Sequence, residues 1–145
     1  MLGNSLREMQ MESSKDLRVG LIGHYGTVVA DEHTAPFVGS GKVRVLATPV
    51  MINLFEAAAL DAIERRLPAG YQSLGTHLDV RHIAATPVGM KVKATAVVTG
   101  VSDRTVSFKV EARDQIDLIG DGTHDRGVVN VAKFDLRVQK KLGKG

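Results

Sequence analysis

Between Thr48-Pro49 and Pro68-Ala69-Gly70 lies a segment that reads as a helix apolar on almost every side. A threonine hydroxyl can cap free amides and proline suits the first helical turn, so the pattern predicts a start at Thr48. Arg65 and Arg66 complement the negative end of the helix dipole, and Leu67, Pro68, Ala69 and Gly70 stop the helix. In between, Val50, Met51, Ile52, Leu54, Phe55, Ala57, Ala58, Ala59, Leu60, Ala62 and Ile63 cover nearly the whole circumference, which predicts burial on most sides. A flat open sheet would cover only one side of such a helix. The sheet is therefore expected to curve around it.

The rest of the chain reads as strands. From Thr105 to Arg113 the odd positions are polar, while Val106, Phe108, Val110 and Ala112 are apolar, the period of a half-buried strand. Lys91 to Val98 repeats this more weakly, and Gly100 to Arg104 is expected to turn between the two. Further strands are expected at Leu17 to Val29, Ser73 to Ala85 and Asp117 to Phe134, the last broken by Gly120 and Gly122. Residues 31–47, with Pro36, Gly39 and Gly41, form a long connection before the helix and suit an entrance loop or lid.

A chain of 145 residues accommodates one domain with a real core. We assign residues 1–16 to a flexible leader, 17–139 to the domain and 140–145 to a flexible basic tail, with Met11 as an alternative start. The formal charge of +3 is spread along the chain, so nucleic acid is not the favoured partner. The most apolar stretch, Val45 to Ile63, is interrupted by Asn53, Glu56 and Asp61, which argues against a membrane span. There is no cysteine, which removes thiolate metal sites and a thiol nucleophile and is compatible with a reducing, cytoplasmic setting. The histidines have no familiar zinc spacing, so no metal is expected.

Three polar residues sit in unfavourable places. On a helical wheel Glu56 shares a stripe with Ile52, Leu60 and Ile63, away from Asn53, Asp61 and Glu64. Burying an unpaired carboxylate costs several kcal/mol, so Glu56 is expected to be paired, to have a raised pKa, or to border a cavity or subunit interface. In the strand from Gly75 to Ala84, His82 falls on the face of Leu78, Val80 and Ala84 and points towards the helix. It reads either as a satisfied core histidine or as a catalyst. Thr48 reads as the helix cap, or as a hydroxyl facing a bound carbonyl. His24, His33, His77 and His124 lack such placement.

The segments Ala47-Thr48-Pro49 to Phe55-Glu56-Ala57, Ser73-Leu74-Gly75-Thr76, His82-Ile83-Ala84-Ala85-Thr86-Pro87 and Gly120-Asp121-Gly122-Thr123-His124-Asp125-Arg126 together resemble the fluoroacetyl-CoA thioesterase family of hotdog proteins. The resemblance runs from about Leu17 to Gln139. It implies an α+β hotdog fold, a curved antiparallel sheet of about five strands wrapped around one long helix. It also implies hydrolysis of a short-chain acyl-CoA by a set of Thr48, Glu56 and His82, with Gly75 and Arg126 at the substrate site and no cofactor. A homodimer or dimer of dimers is the expected assembly. A non-catalytic acyl-CoA or small-ligand binding module is the alternative.

Helix geometry adds one constraint. On an unbroken helix Thr48 and Glu56 lie about 12 Å apart along the axis, beyond hydrogen-bond reach. Either the segment after Thr48 is not yet helical, or the set is assembled from two subunits.

Overall fold

The computed structural model describes Leu17 to Gly143, so the proposed leader and the last two residues of the tail lie outside the described residues. Five strands form one antiparallel sheet: β1 (Ile22–Val28), β2 (Tyr71–His82), β3 (Lys91–Ser102), β4 (Thr105–Asp114) and β5 (Leu118–Asn130). Their spatial order is β1-β3-β4-β5-β2, which leaves β1 and β2 at the edges. A short helix α1 (Ala35–Val38) lies in the connection after β1. The long helix α2 (Thr48–Ile63) follows, and α3 (Val131–Lys140) closes the chain. No helix among the described residues is long and apolar enough to cross a membrane.

The core is the inner face of the sheet against α2. Alternation in β3 and β4 buries Val92, Ala94, Ala96 and Val98, and Val106, Phe108, Val110 and Ala112. From the helix come Met51, Leu54, Phe55, Ala58, Ala59, Ala62 and Ile63. The large side chains among these contribute about 1.5–3 kcal/mol each by leaving water. The opposite face of α2 is not covered: Ile52, Glu56, Ala57 and Leu60 are only half-buried, so the sheet wraps less of the helix than its composition predicts.

Local corrections follow from turn and cap chemistry. Gly100 does not turn the chain; β3 runs on to Ser102, with a register shift between Val98 and Gly100, and Asp103 takes a positive φ of 52° in the tight turn that follows. Gly120 and Gly122 do not interrupt β5. The last strand ends at Asn130, four residues before Phe134, because the Asn130 side chain accepts a hydrogen bond from the Lys133 amide and starts α3. In β2 a register shift between Gly75 and His77 inserts Thr76 as an extra residue. That bulge lets Ser73 and Gly75 before it, and Leu78, Val80 and His82 after it, all share the register of the inward-facing β5 positions.

Candidate active site

Two clusters hold the polar residues singled out by the sequence. The first is at the helix start. Thr48 is not the cap: Ala47 takes that position, and no side chain caps the helix. Leu46 and Ala47 are fixed by backbone bonds to the Thr86 and His33 carbonyls, each 2.9 Å long, which sets where the helix begins. The Thr48 hydroxyl is thereby free to meet His82, with Oγ1 and Nδ1 2.8 Å apart. His82 is the last residue of β2, opposite Gly120, and the Ile119 carbonyl holds the backbone amides of the next two residues.

His82 is half-buried, and burial lowers its pKa below the ordinary 6.5 against an opposing interaction with the Ala84 backbone. Its Nε2 is buried and has no hydrogen-bond partner among the described residues. A groove of about 390 Å³ opens beside the pair, lined by Ser40, Lys42, Val43, Ile83 and Ala84 among others. A larger hollow of about 500 Å³ lies around Tyr25, Val28, Lys91 and Lys93 and contains neither Thr48 nor His82. Thr48 and His82 themselves line the smaller one.

The second cluster surrounds Glu56. Arg126 is buried on β5 and donates from Nη1 to Glu56 Oε2 at 3.3 Å, while the Glu56 side chain keeps 36% of its exposure. Of the outcomes open to Glu56, pairing with a cation beside a solvent-facing edge is the one observed. Gly75 makes this possible, since a Cβ there would fall on Glu56 Oε2. Both residues expected at the substrate site thus lie against Glu56.

Arg126 is held on its other sides. Its Nε donates to Ser73 Oγ at 2.8 Å and its Nη2 to the Ser73 carbonyl at 3.0 Å. Ser73 in turn donates to both carboxylate oxygens of Glu64, from Oγ at 2.6 Å and from its amide at 2.9 Å. His124 completes the cluster with Nε2 3.2 Å from Arg126 Nη1. Sequence reasoning missed Ser73, Glu64 and His124. For His124 the signal was present, since it lies two residues before Arg126 on the same face of β5.

The two clusters do not meet within one chain. The helix is continuous from Thr48, and no hydrogen bond joins Glu56 to Thr48 or His82. Of the two ways to bring Thr48 and Glu56 together, the non-helical start is excluded. Among the described residues, no group of three His, Cys, Asp or Glu side chains stands close enough to hold a metal ion.

The two inward histidines make stability depend on pH. Burial lowers the pKa of His124 as well as that of His82, and the neighbouring Arg126 charge lowers it further. An unfolded chain takes up protons at both sites near the ordinary value of 6.5, before the folded chain does. The stability contribution is therefore complete above that pH and is lost as pH falls below it. Thermal unfolding between about pH 7.5 and 5.5, where ordinary carboxylates hardly titrate, should show a midpoint that drops with pH and a shallower drop in His124→Gln. An unchanged midpoint would contradict the burial of these rings.

Comparison with known proteins agrees with the fold. The profile of the family FlK, fluoroacetyl-CoA-specific thioesterase, matches residues 29–132. A fluoroacetyl-CoA thioesterase from Streptantibioticus cattleyicolor is 43% identical over 101 residues, 70% of this chain and 73% of that protein. The crystallised fluoroacetyl-CoA thioesterase FlK is 37% identical, superposes with a TM-score of 0.82, and is matched over 86% of this chain and 97% of its own. A hot-dog-like protein from Thermanaerovibrio acidaminovorans, 22% identical with a TM-score of 0.82 over 91% of this chain and 98% of its own, shares the fold. With the strand order and the wrapped helix, these matches establish that the chain belongs to the fluoroacetyl-CoA-specific thioesterase family of hotdog proteins.

Proposed function

We propose that Thr48 and His82 of one copy of the chain, with Glu56 of a second copy, hydrolyse a short-chain acyl-CoA to the free acid and CoA. The class of activity, acyl-CoA thioester hydrolysis, is that of the family. The observation that carries the residue assignment is the 2.8 Å Thr48–His82 contact beside a groove, with the second ring nitrogen of His82 buried and unpaired.

A thioester needs little help at its leaving group, because a thiol has a pKa of about 8.5. The demanding step is attack on the carbonyl. With its proton on Nε2, neutral His82 accepts from the Thr48 hydroxyl at Nδ1 and draws the proton from the attacking oxygen, either that of Thr48 or that of a water beside it. A C–O bond forms as the C–S bond breaks, and the proton passes to the departing sulfur. Where Thr48 is the attacking group, a water then attacks the acyl-Thr48 ester, with His82 taking its proton and returning it to the Thr48 oxygen as the acid leaves. Glu56 Oε1, outside the hydrogen bond to Arg126, is a carboxylate oxygen available to the attacking water or the substrate, and the unbroken helix directs it to the Thr48–His82 pair of another copy.

Two further observations support assembly from two copies. The face of α2 that carries Glu56 exposes part of Ile52, Ala57 and Leu60. Beside it β2 is a twelve-residue edge strand with Leu74 and Leu78 exposed by 42% and 37%. Such an edge is a template for pairing with a second sheet. The small groove walls, including Ala35, Gly41, Ala47, Ala84 and Ala85, suit a short acyl chain. In this reading the protein is a cytoplasmic homodimer or dimer of dimers that needs neither cofactor nor nucleic acid.

The test is free-thiol release from acetyl-, fluoroacetyl-, propionyl- and butyryl-CoA, run beside equilibrium binding of the same compounds and a sedimentation mass. Turnover of at least one of them by a dimer or larger assembly is expected. Tight binding without thiol release would select the non-catalytic module instead, and an active monomer would refute the shared set.

A further inference from the structure

Buried among the polar residues of the second cluster is a histidine that the hydrolytic scheme does not use. We propose that His124 is a positioning residue for the reaction, holding the Arg126 guanidinium so that its Nη1 edge steers the Glu56 carboxylate. This inference rests on the assignment of Glu56 to the catalytic set.

The argument begins with which nitrogen carries the proton. His124 Nδ1 lies 2.8 Å from the His77 carbonyl, and a carbonyl oxygen only accepts. The proton is therefore on Nδ1, and Nε2 presents a lone pair to Arg126 Nη1 at 3.2 Å. The ring has no rotational freedom to spare. It is fully buried, and it stacks against Phe108 with centroids 5.9 Å apart. On its other flank stands Gly75, where a Cβ would lie 3.3 Å from His124 Cε1.

Arg126 is consequently oriented by neutral acceptors that do not compete with Glu56 as charges. Ser73 takes Nε and Nη2, and His124 takes one direction of Nη1, leaving Glu56 as the carboxylate that Nη1 meets. A hydrophobic residue at position 124 would leave one direction of Nη1 unsatisfied and free the guanidinium to rotate towards Glu56 or away from it. Displacing a catalytic group by about 1 Å costs on the order of 100-fold in rate. The change moves a reacting group and leaves the lining of the groove beside Thr48 and His82 untouched, so the effect belongs in kcat.

Three substitutions separate positioning from bulk packing. His124→Gln can still donate to the His77 carbonyl and accept from Arg126, His124→Asn reaches only the former, and His124→Leu reaches neither. With acetyl-CoA as the probe, Leu and Asn should lower kcat by about 10- to 100-fold with KM within about two-fold, while Gln keeps kcat within about three-fold. Circular dichroism and thermal unfolding identify the folded variants, and Asn supplies the comparison if Leu does not fold.

In a Glu56→Gln background the Asn substitution should cause no further loss, because both act through one carboxylate. Equal losses in the two backgrounds would overturn the inference, as would normal kcat in the folded Asn variant or a Gln variant as impaired as Asn. A Glu56→Gln enzyme working at the wild-type rate would instead refute the catalytic assignment of Glu56 itself.

Discussion

Thr48→Ala protein mixed with Glu56→Gln protein will recover thiol release that neither variant shows alone. Each substitution removes one part of the proposed set, the Thr48 hydroxyl beside His82 or the carboxylate beside Arg126. General acid–base and nucleophilic contributions of this kind are worth about 10²- to 10⁴-fold, so each pure variant should fall to about 1% of the wild-type rate or below. Neither change should unfold the protein, since Thr48 caps nothing and Gln retains the shape of Glu.

If every site takes Thr48 and His82 from one copy and Glu56 from the other, a mixed dimer has one doubly damaged site and one intact site. Random exchange makes about half of the dimers mixed, so about a quarter of the wild-type rate returns. A site built within one chain predicts no recovery in any proportion. The measurement is thiol release from acetyl-CoA after the two variants have been unfolded and refolded together, with each variant refolded alone as the control. A mixture no faster than the controls would exclude the two-copy site.

The sequence made the central helix and its reach legible because both signals are local. Thr48-Pro49 and Pro68-Ala69-Gly70 bracket the helix, and the alternation of Val106, Phe108, Val110 and Ala112 appears unchanged as burial in β4. The inward placement of His82 was legible for the same reason, since period two carries it from Val80, and the bulge at Thr76 lies upstream of both. The cap function assigned to Thr48 failed because a neighbour in sequence competed with a neighbour in space, His82, thirty-four residues away. Helix α3 was missed because the side chain of one residue, Asn130, converts the end of a strand into a helix start.

The cluster around Arg126 was the least legible part. Resemblance pointed to Arg126, but Ser73, Glu64 and His124 converge on it from β2, the end of α2 and β5, and no periodicity reports a convergence of three elements. Glu64 illustrates the limit. By helix position it belongs to the polar sector of α2, yet its carboxylate is spent on Ser73 rather than on water alone.

Gly23→Ala, a single methyl group at an edge strand, is expected to cost about 3 kcal/mol of stability or more. Gly23 lies opposite Ala96 and faces the C-terminal half of α2. An added Cβ would overlap the Ala58 carbonyl and the Ala62 amide and would lie 2.9 Å from Ala62 Cα. All three are backbone atoms, so no rotamer change relieves the overlap and the whole helix has to retreat. The approach is close because both surfaces are bare: glycine on the strand meets Ala58 and Ala62 on the helix, each almost completely buried. Asp61 then fastens the contact by accepting from the His24 amide at 2.9 Å, a bond that also lowers the Asp61 pKa below the ordinary 3.8.

Retreat of α2 would strip the alanine contacts and this hydrogen bond together, and would carry Thr48 and Glu56 with it. Gly100→Ala is the control, because its nearest neighbour, Ser107 Cβ, would be 3.8 Å away and its backbone requires no positive φ. That change should stay within about 1 kcal/mol. Urea unfolding of the two variants beside the wild type measures the difference. If Gly23→Ala unfolds at the wild-type midpoint, α2 does not press on β1 at backbone distance, and the route by which the sheet fixes the start of the helix beside His82 would have to be sought elsewhere.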